Sequence, residues 1–286
     1  MSIRFEHVFH IYSPKTPIEQ IGLNDINVDF SNYDFVALVG QTGSGKSTLV
    51  QHITGLLLPS KGTVYVGDYQ ITPHKKKNKH IKDIRKEIGL VFQFPEYQLF
   101  EDTVLKDVAF GPKNFGIDEK EALDRARKAI LAVGLDETYF ERSPFELSGG
   151  EKRRVAIAGI IAINPSVLIL DEPTAGLDPQ GSKAMMELFK KIHSQGTKII
   201  MVTHDMDLVL EYASHVIVLK DGQIVKETDP VSLFSSSDYL DLSLDYPSVF
   251  DLATKLINKG MNINLNNIKN IPTLIKEIKK AGNKYE

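Results

Sequence analysis

The chain has 286 residues, and its 34 Lys and Arg against 37 Asp and Glu give a formal charge of −3 at pH 7. Nearly balanced charge offers little attraction for polyanions, so we expect no nucleic-acid partner. A content of 42% hydrophobic and 25% charged residues is typical of a globular protein and excludes disordered and fibrous classes. No cysteine is present, which excludes disulfides, thiolate metal sites and cysteine nucleophiles and favours a cytoplasmic setting.

The apolar runs are too short for a membrane helix. The longest, at residues 155–163, falls well below the roughly 18 residues that span a bilayer. The N-terminus also lacks a signal-peptide core. We therefore expect that this chain does not cross a membrane by itself.

The first third of the sequence predicts strands around a glycine-rich loop. Alternating residues predict half-buried strands over 3–9 and 24–30, and a continuous apolar run predicts a fully buried strand at 35–39. The glycine-rich loop and a helix follow, then a hairpin over 63–71 and a strand over 88–92. The basic run at 74–80 is interpreted as a solvated loop, a polyanion site being the weaker alternative.

A helical block interrupts the alternation of strands and helices. The pattern is almost wholly helical over 103–163. The alternation then resumes with a strand at 167–170, a helix at 180–194, a strand at 198–202 and a closing hairpin over 216–226. This order predicts a mainly parallel sheet that binds ligands at the C-terminal ends of its strands.

The glycine-rich loop has the phosphate-loop pattern G-x-x-x-x-G-K-[ST]. Its glycines let backbone N–H groups turn inward around phosphates, Lys46 can reach the β- and γ-phosphates, and the Ser47 hydroxyl can bind Mg²⁺. The predicted binding residues of this segment are Gly40, Gln41, Thr42, Gly43, Ser44, Gly45, Lys46, Ser47 and Thr48.

Two carboxylates follow the strand at 167–170. The sheet would bring Asp171 and Glu172 to the same edge as the phosphate loop. Asp171 is suited to hold the Mg²⁺ shell, and Glu172 to orient or deprotonate an attacking water. The alternative is an acidic pair that only caps the strand.

The segment Leu-Ser-Gly-Gly-Glu at 147–151 precedes a helix. Ser148, Gly149 and Gly150 can present N–H donors to phosphate at the start of this helix. Taken alone, Ser148 would more often be a simple helix N-cap.

Taken together, these motifs resemble those of the ATP-binding-cassette (ABC) ATPases, in family order over most of residues 1–230. The resemblance implies that ATP and Mg²⁺ are bound and that Lys46, Gln93, Glu172 and His204 serve catalysis. It also implies that Gln93 joins Ser47 and Asp171 at the metal, and that His204 contacts the γ-phosphate. Tyr12 falls where the family places an aromatic ring against adenine, although Phe9 is near and Tyr12 could instead pack on a strand.

The family resemblance also implies a shared site. In ABC ATPases the segment matching residues 147–151 closes over ATP bound to the other subunit, so Ser148, Gly149 and Gly150 would act on the partner's ATP. Because each motif occurs once in this chain, we expect a second ABC ATPase subunit as partner, forming a heterodimer or, alternatively, a homodimer.

A narrower resemblance covers residues 93–112. The run FPEYQLF at 94–100 is similar to the ATPases of energy-coupling factor (ECF) transporters, most of all to the second of their two ATPase subunits. The resemblance implies a peripheral ATPase on the cytoplasmic face of the cell membrane. Its partners would be a transmembrane energy-coupling subunit and a separate substrate-binding membrane subunit, for vitamins or other micronutrients including transition-metal ions. Residues 93–102, called the docking segment below, are the predicted contact with the membrane subunit.

Other functions remain as alternatives. The chain could serve another ABC transporter, or act as an ABC ATPase in DNA repair or translation. Repair members insert long coiled coils, and translation members usually carry two cassettes. This sequence has no sustained heptads between Gly45 and Leu147 and only one cassette.

The predicted fold is α/β: a P-loop NTPase core with a mainly parallel sheet, an antiparallel β subdomain and an inserted helical subdomain, plus a C-terminal helical extension. We expect an ATPase domain over 1–230, with its helical subdomain at about 96–165, and an extension over 231–286 that contributes to dimerisation. Two amphipathic helices are predicted in the extension, one with Val249, Leu252, Ala253, Leu256 and Ile257 on one face and a shorter one with Leu274, Ile275 and Ile278 after Pro272. The alternative is that these helices only pack on their own core.

Overall fold

Ten strands form two sheets in the computed structural model, which describes residues 1–74, 76, 78–236 and 238–282. The strands are β1 (Ile3–Tyr12), β2 (Gln20–Asp29), β3 (Phe35–Val39), β4 (Lys61–Val66), β5 (Tyr69–Ile71), β6 (Ile88–Val91), β7 (Val167–Asp171), β8 (Lys198–Val202), β9 (His215–Lys220) and β10 (Gln223–Thr228). The basic run at 74–80 is described only in part, since Lys75 and Lys77 lie outside the described residues.

The larger sheet has the strand order β10-β9-β3-β8-β7-β6. All neighbouring pairs are parallel except β10 and β9, which form the predicted closing hairpin. The smaller sheet, of order β2-β1-β4-β5, is antiparallel throughout. The predicted combination of a mainly parallel sheet and an antiparallel β subdomain is therefore present.

Eleven α-helices lie within the described ranges. They are α1 (Lys46–Ile53), α2 (Ile81–Glu87), α3 (Val104–Asn114), α4 (Glu119–Ala132), α5 (Gly149–Ile161), α6 (Pro179–Ser194), α7 (Met206–Tyr212), α8 (Pro230–Ser235), α9 (Asp238–Asp241), α10 (Ser248–Asn258) and α11 (Ile271–Gly282). Helices α3, α4 and α5 pack on one another and form the predicted helical block. No helix in the described part of the chain is both long enough and apolar enough to span a membrane.

The central strands divide their side chains between two cores. On β3, Ala37 belongs to the core shared with α3 to α6, whereas Leu38 belongs to the core shared with α1 and the smaller sheet. Because both faces of the sheet are covered, β3 is buried along its whole length. This explains the continuous apolar run at 35–39.

Strands β1 and β2 are longer than their sequence patterns predict. The pairing register shifts between Phe5 and Val8 and again between Val8 and His10, and His7 has a left-handed backbone with φ 48°. Asp25 on β2 has φ 54°. A bulge resets the alternation of inward and outward side chains, so a search for strict alternation ends the strand too early.

The C-terminal helices pack on the core that β3 shares with α3 to α6. Val249, Phe250 and Ala253 of α10 are buried there with Leu274 of α11. Leu252, which the sequence pattern places on the inner face of α10, is instead 43% exposed. Pro272 lies inside the first turn of α11 rather than before it, where its missing N–H costs no helical hydrogen bond.

Candidate active site

The predicted site residues follow adjacent strands of the larger sheet. Strands β3, β8 and β7 are neighbours, and the Glu172 N–H donates to the Val202 carbonyl at 2.9 Å. A cavity of about 450 Å³ lies at the C-terminal ends of these strands. The predicted residues that line it are Tyr12, Thr42, Gly43, Gly45, Lys46, Ser47, Thr48, Gln93, Asp171, Glu172 and His204.

Gly40 and Gln41 line a second cavity, which shares Lys46, Glu172 and His204 with the first. Ser44, which belongs to the same loop, lines neither cavity and is buried.

The glycines of the phosphate loop are required by its backbone. Gly40 has φ 142°, and a Cβ atom there would collide with the carbonyl oxygen of Leu219. Gly45 has φ 104° and is the N-cap of α1, where a Cβ would lie 2.7 Å from the Gly22 carbonyl oxygen. The Ser44 carbonyl accepts a hydrogen bond from Gly222 at 3.0 Å, which fastens the loop to the β9–β10 turn. The loop therefore aims the N-terminus of α1 at the cavity, as an anion site requires.

The ammonium group of Lys46 is held by the loop itself. Its Nζ donates to the carbonyls of Gly40 at 2.7 Å and Gln41 at 2.8 Å. Burial lowers the pKa of Lys46, and the carboxylates of Glu172 and Asp171 oppose that shift. Lys46 is thus a positive charge fixed between the loop and the acidic pair.

The acidic pair is linked to His204. The Nδ1 of His204 and the Oε1 of Glu172 are 2.9 Å apart, and this contact raises the pKa of His204. Burial, with a further contribution from the charge of Glu172, raises the pKa of Asp171. Glu172 has a left-handed backbone with φ 50°, which is uncommon for a non-glycine residue and is found at active sites.

Tyr12 forms the wall of the cavity near the start of α1. Its hydroxyl is 2.9 Å from the Thr48 Oγ1, and its ring lies against Gly22, where a Cβ would be 2.6 Å from Tyr12 Cε2. The ring of His10 contacts the Tyr12 ring edge to face, with centroids 4.5 Å apart. On its other contact, the His10 ring meets the His52 ring edge to face, with centroids 4.8 Å apart. Phe9 does not line the cavity. The geometry therefore favours Tyr12 over Phe9 as the residue that meets a base.

The docking segment begins at the cavity and continues onto the surface. Gln93 lines the cavity, and Phe94, directly after it, has φ 57°. Four aromatic side chains on and beside the segment are exposed: Phe94, Tyr97, Phe100 and Phe110. Tyr97 has the largest exposure, at 85%. An exposed aromatic patch of this kind marks an interaction surface.

Ser148, Gly149 and Gly150 do not line the cavity of their own chain. They are exposed at the start of α5, where Ser148 is both the N-cap and part of a capping box with Glu151. The Tyr139 hydroxyl donates to Glu151 at 2.6 Å, and the Ser148 N–H and hydroxyl donate at 2.8 Å. These bonds lower the pKa of Glu151 to about 2. Ser148 is thus a helix cap whose neighbouring N–H groups point to solvent.

The residues of the cavity fit a nucleotide with Mg²⁺. Among the described residues, no group of three or more His, Cys, Asp or Glu could hold a metal ion alone. Ser47, Asp171 and Gln93 offer oxygen donors beside the phosphate loop. Mg²⁺ prefers oxygen ligands and is commonly bound by one or two carboxylates together with substrate phosphates and water.

Sequence reasoning missed some lining residues. Gln20, Ile21 and Gly22 of β2 and Val202 of β8 also line the cavity. A glycine inside a strand signals a close approach, but Gly22 lies outside the strand predicted over 24–30, so this signal appears only once β2 is known to begin at Gln20. No sequence signal marks Gln20 or Ile21, because their place depends on how the smaller sheet sits on α1.

Comparisons with known proteins agree with this geometry. The ABC transporter family matches residues 23–175. Among solved structures, cbiO1 from Clostridium perfringens, part of the ABC transporter complex cbiONQ, is 35% identical, with a TM-score of 0.73 over 90% of this chain and 96% of that one. The dimeric ATP-binding cassette MJ0796, bound to ADP and Pi in a post-hydrolysis state, is 30% identical, with a TM-score of 0.69 over 80% of this chain and 98% of that one.

Curated relatives are closer in sequence. The energy-coupling factor transporter ATP-binding protein EcfA2 of Enterococcus faecalis is 53% identical over 264 residues, which cover 92% of this chain and 91% of that protein. EcfA2 of Streptococcus pneumoniae is 49% identical over 284 residues, covering 99% of this chain and 100% of that protein.

The fold and the site define an ATP-binding ATPase of the ABC class, with the predicted α/β architecture. Residues 40–47 supply its phosphate loop and residues 171–172 its acidic pair. The chain belongs to the family of ECF transporter ATP-binding proteins. The family resemblance inferred from the sequence is therefore confirmed.

Proposed function

We propose that this chain is the ATP-hydrolysing, energy-coupling subunit of an ECF-type importer for vitamins or other micronutrients, including transition-metal ions. It works at the cytoplasmic face of the membrane, where ATP is available. One observation carries the proposal: Lys46, the acidic pair and His204 line one cavity that contains no part of 148–150 of the same chain. That arrangement suits an ATPase whose site is completed by a second subunit.

Each residue has a distinct task in the proposed mechanism. The N–H groups of the phosphate loop and Lys46 hold the β- and γ-phosphates. Ser47, Asp171 and Gln93 would hold Mg²⁺, which neutralises developing charge on the phosphates when bound. Tyr12 stacks on the adenine ring.

Glu172 acts as the general base and takes a proton from the attacking water. His204, whose pKa the contact with Glu172 raises, donates a hydrogen bond toward the γ-phosphate and steadies the carboxylate. Both side chains lie at the same end of the cavity as Lys46, so water attack and charge stabilisation occur at one place.

Two chains are needed for turnover. Ser148, Gly149 and Gly150 would approach the γ-phosphate of ATP held by the partner, with the open N–H groups at the start of α5 as donors. MJ0796, a related cassette, is dimeric with ADP and Pi. The partner here is a second ABC ATPase, which we propose to be a different chain.

The membrane side of the assembly contacts the docking segment. Exposed aromatic side chains are enriched where proteins bind each other, and those at Phe94 and Tyr97 continue directly from Gln93. A transmembrane coupling subunit on this patch, together with a separate substrate-binding membrane subunit, would sense the nucleotide through Gln93. We keep the division into an ATPase domain at 1–230 and an extension at 231–286 as part of the proposal.

Replacing Glu172 with Gln tests the proposal. The variant keeps the shape of the side chain but cannot accept the proton, so kcat should fall by about 100-fold or more while ATP binding persists. ATP binding and steady-state hydrolysis are measured on the assembled transporter, with Glu187→Gln on the exposed face of α6 as a matched control. Near-normal hydrolysis by Glu172→Gln would refute the assignment of the base.

A further inference from the structure

Arg153 connects the helix that carries Ser148 to the loop that carries Glu172. It is the fifth residue of α5 and is only 2% exposed. Its Nη1 donates to the Ala175 carbonyl at 2.8 Å, and its Nη2 to the Pro173 carbonyl at 2.6 Å. Both acceptors belong to the stretch directly after Glu172, which we call the catalytic loop (residues 172–178).

The third nitrogen of the same guanidinium makes no hydrogen bond. The Nε of Arg153 is buried and has no hydrogen-bond partner. The Oε2 of Glu96, in the docking segment, is also buried and without a partner. Burial lowers the pKa of Arg153, and the charge of Glu96 opposes that shift, so the two groups lie within each other's field.

An unpartnered buried charged donor near an unpartnered buried acceptor is costly and rare in proteins. The turn that carries Glu96, Pro95–Gln98, packs directly against α5. A small displacement of this turn can therefore change the distance between Glu96 and the guanidinium.

A second contact joins the docking segment to the catalytic loop. Gly176 has φ 75°, and a Cβ atom there would lie 3.2 Å from the ring of Phe94. Phe94 thus packs beside the carbonyls that Arg153 holds. Displacement of the docking segment can therefore affect the catalytic loop in two ways. It can change the packing of Phe94 against Gly176, and it can change the charge interaction between Glu96 and Arg153.

We propose that Arg153 is a positioning residue that transmits the position of Glu96 in the docking segment to the catalytic loop, and so to Glu172. A guanidinium is a rigid planar fork, so a bond from Glu96 to its Nε shifts both carbonyl bonds together. Glu172, with its left-handed backbone, begins this loop, and a small displacement of a catalytic group has a large effect on rate. The membrane subunit, by moving the docking segment, would switch hydrolysis through this residue.

The inference rests on the proposed function and is tested by a double-mutant cycle. Arg153→Lys keeps the charge but loses the planar fork that donates to both carbonyls, and Glu96→Gln keeps the shape but removes the charge. ATPase rates are measured for the complete transporter and for the ATPase pair without membrane subunits. The ratio of the two rates reports stimulation by the membrane subunit.

Each single variant should lower this stimulation by about threefold or more, with the KM for ATP within about twofold, since neither residue lines the ATP cavity. The double variant should lower stimulation no further than Arg153→Lys alone, because residues that act on each other are not additive. Multiplicative effects, or unchanged stimulation in Glu96→Gln, would overturn the inference.

Two controls keep the outcome interpretable. Arg154→Lys alters the neighbouring arginine, which makes no such bonds, and should leave stimulation within about twofold. Thermal unfolding identifies an Arg153 variant that fails to fold, in which case Glu96→Gln decides alone. A wild-type transporter without ATPase activity would contradict the proposed function. If the wild type is active but the two substitutions lower stimulation independently of each other, only the coupling role of Arg153 is contradicted.

Discussion

His52 is a fully buried histidine in the last turn of α1, and it sets a pH limit on stability. Its Nδ1 is 2.7 Å from the Thr48 carbonyl, while its Nε2 has no partner. Burial lowers the pKa of His52 from 6.5 to about 4. The folded protein therefore keeps this ring neutral under conditions in which the unfolded chain would protonate it.

The free energy of unfolding should fall as pH decreases from about 6.5 to about 4, because only the unfolded chain takes up a proton at His52 in that range; the loss is on the order of 3 kcal/mol. His52→Leu should make this pH dependence shallower. Denaturant unfolding at several pH values measures it, with exposed His80→Leu as control. An unchanged slope in His52→Leu would contradict the prediction.

Tyr12 and Phe9 can be distinguished by their effect on ATP affinity. Stacking of a base on an aromatic ring contributes about 1–3 kcal/mol, so Tyr12→Leu should raise the KM for ATP about tenfold with a smaller change in kcat. Phe9→Leu, outside the cavity, should change KM by less than about twofold. Titration of the ATPase rate with ATP checks both, and the reverse ranking would assign the base to Phe9.

At this scale, motifs predicted which residues share the cavity but not how they contact each other. The sequence indicates Glu172 by its position after an apolar strand and His204 only through the family resemblance. It does not predict their 2.9 Å contact, which requires β7 and β8 to be neighbours. The bonds of Arg153 to the catalytic loop have no sequence signal either, since a buried arginine on a helix looks like any basic position.

The docking segment acts as one element, and its exposed ring at Tyr97 provides a test. Tyr97→Ser removes apolar contact area without touching the cavity, so substrate uptake should fall about tenfold while ATPase activity falls less. Uptake and hydrolysis are measured on the same vesicles. Leu131→Ser, an exposed apolar residue on α4, is the control, and unchanged uptake in Tyr97→Ser would contradict the docking role.

The C-terminal helices pack on the chain's own core, whereas their contribution to dimerisation stays a prediction. One face of α10 and α11 packs on the chain's own core, whereas Leu252, Ile271 and Ile275 remain exposed. If the exposed faces contribute to dimerisation, Leu252→Ser with Ile275→Ser should weaken ATPase pairing about tenfold or more. Sedimentation with the partner ATPase measures this, and unaltered pairing would leave these helices a purely intramolecular role.

Element type was largely predictable, but element length was not. The helical block and the buried strands follow from strong patterns. The bulges at His7 and Asp25 hide the ends of β1 and β2, because a single extra residue reverses which face each side chain occupies. On α10 the inner face includes Phe250 instead of Leu252, which depends on neighbours that a helical pattern alone does not identify.

For the whole molecule, we propose that hydrolysis requires a pair of ATPase chains, because residues 148–150 lie outside the cavity of their own chain. A Lys46→Met chain keeps its start of α5, and a Ser148→Arg chain keeps its phosphate loop. If two copies of this chain pair, each mixed pair should have roughly half of the wild-type rate, since one of its two composite sites is intact, and an equimolar mixture should reach about a quarter because only about half of its pairs are mixed. If the partner is a different chain, only adding that ATPase restores activity. A full rate from dilute, monomeric protein would contradict both.

The strand order could not be predicted from the sequence, and the composite site stays a prediction that rests on the family resemblance. Chain order places β3 far from β8, yet they are neighbours, because long helical crossovers allow many strand orders. One copy of each motif indicates a partner only through the family resemblance. The net charge of −3 also does not predict the position of the exposed aromatic side chains around Tyr97.

The position of β6 at the outer edge of the larger sheet has a mechanical consequence. Within the described residues, this strand, which leads into the docking segment, pairs with β7 alone, whereas β3, which leads into the phosphate loop, pairs with β8 on one side and β9 on the other. We therefore expect the strand that leads into the phosphate loop to be more rigid than the edge strand that leads into the docking segment. Displacement of the docking segment can then bend the edge of the sheet while the phosphate loop keeps its position.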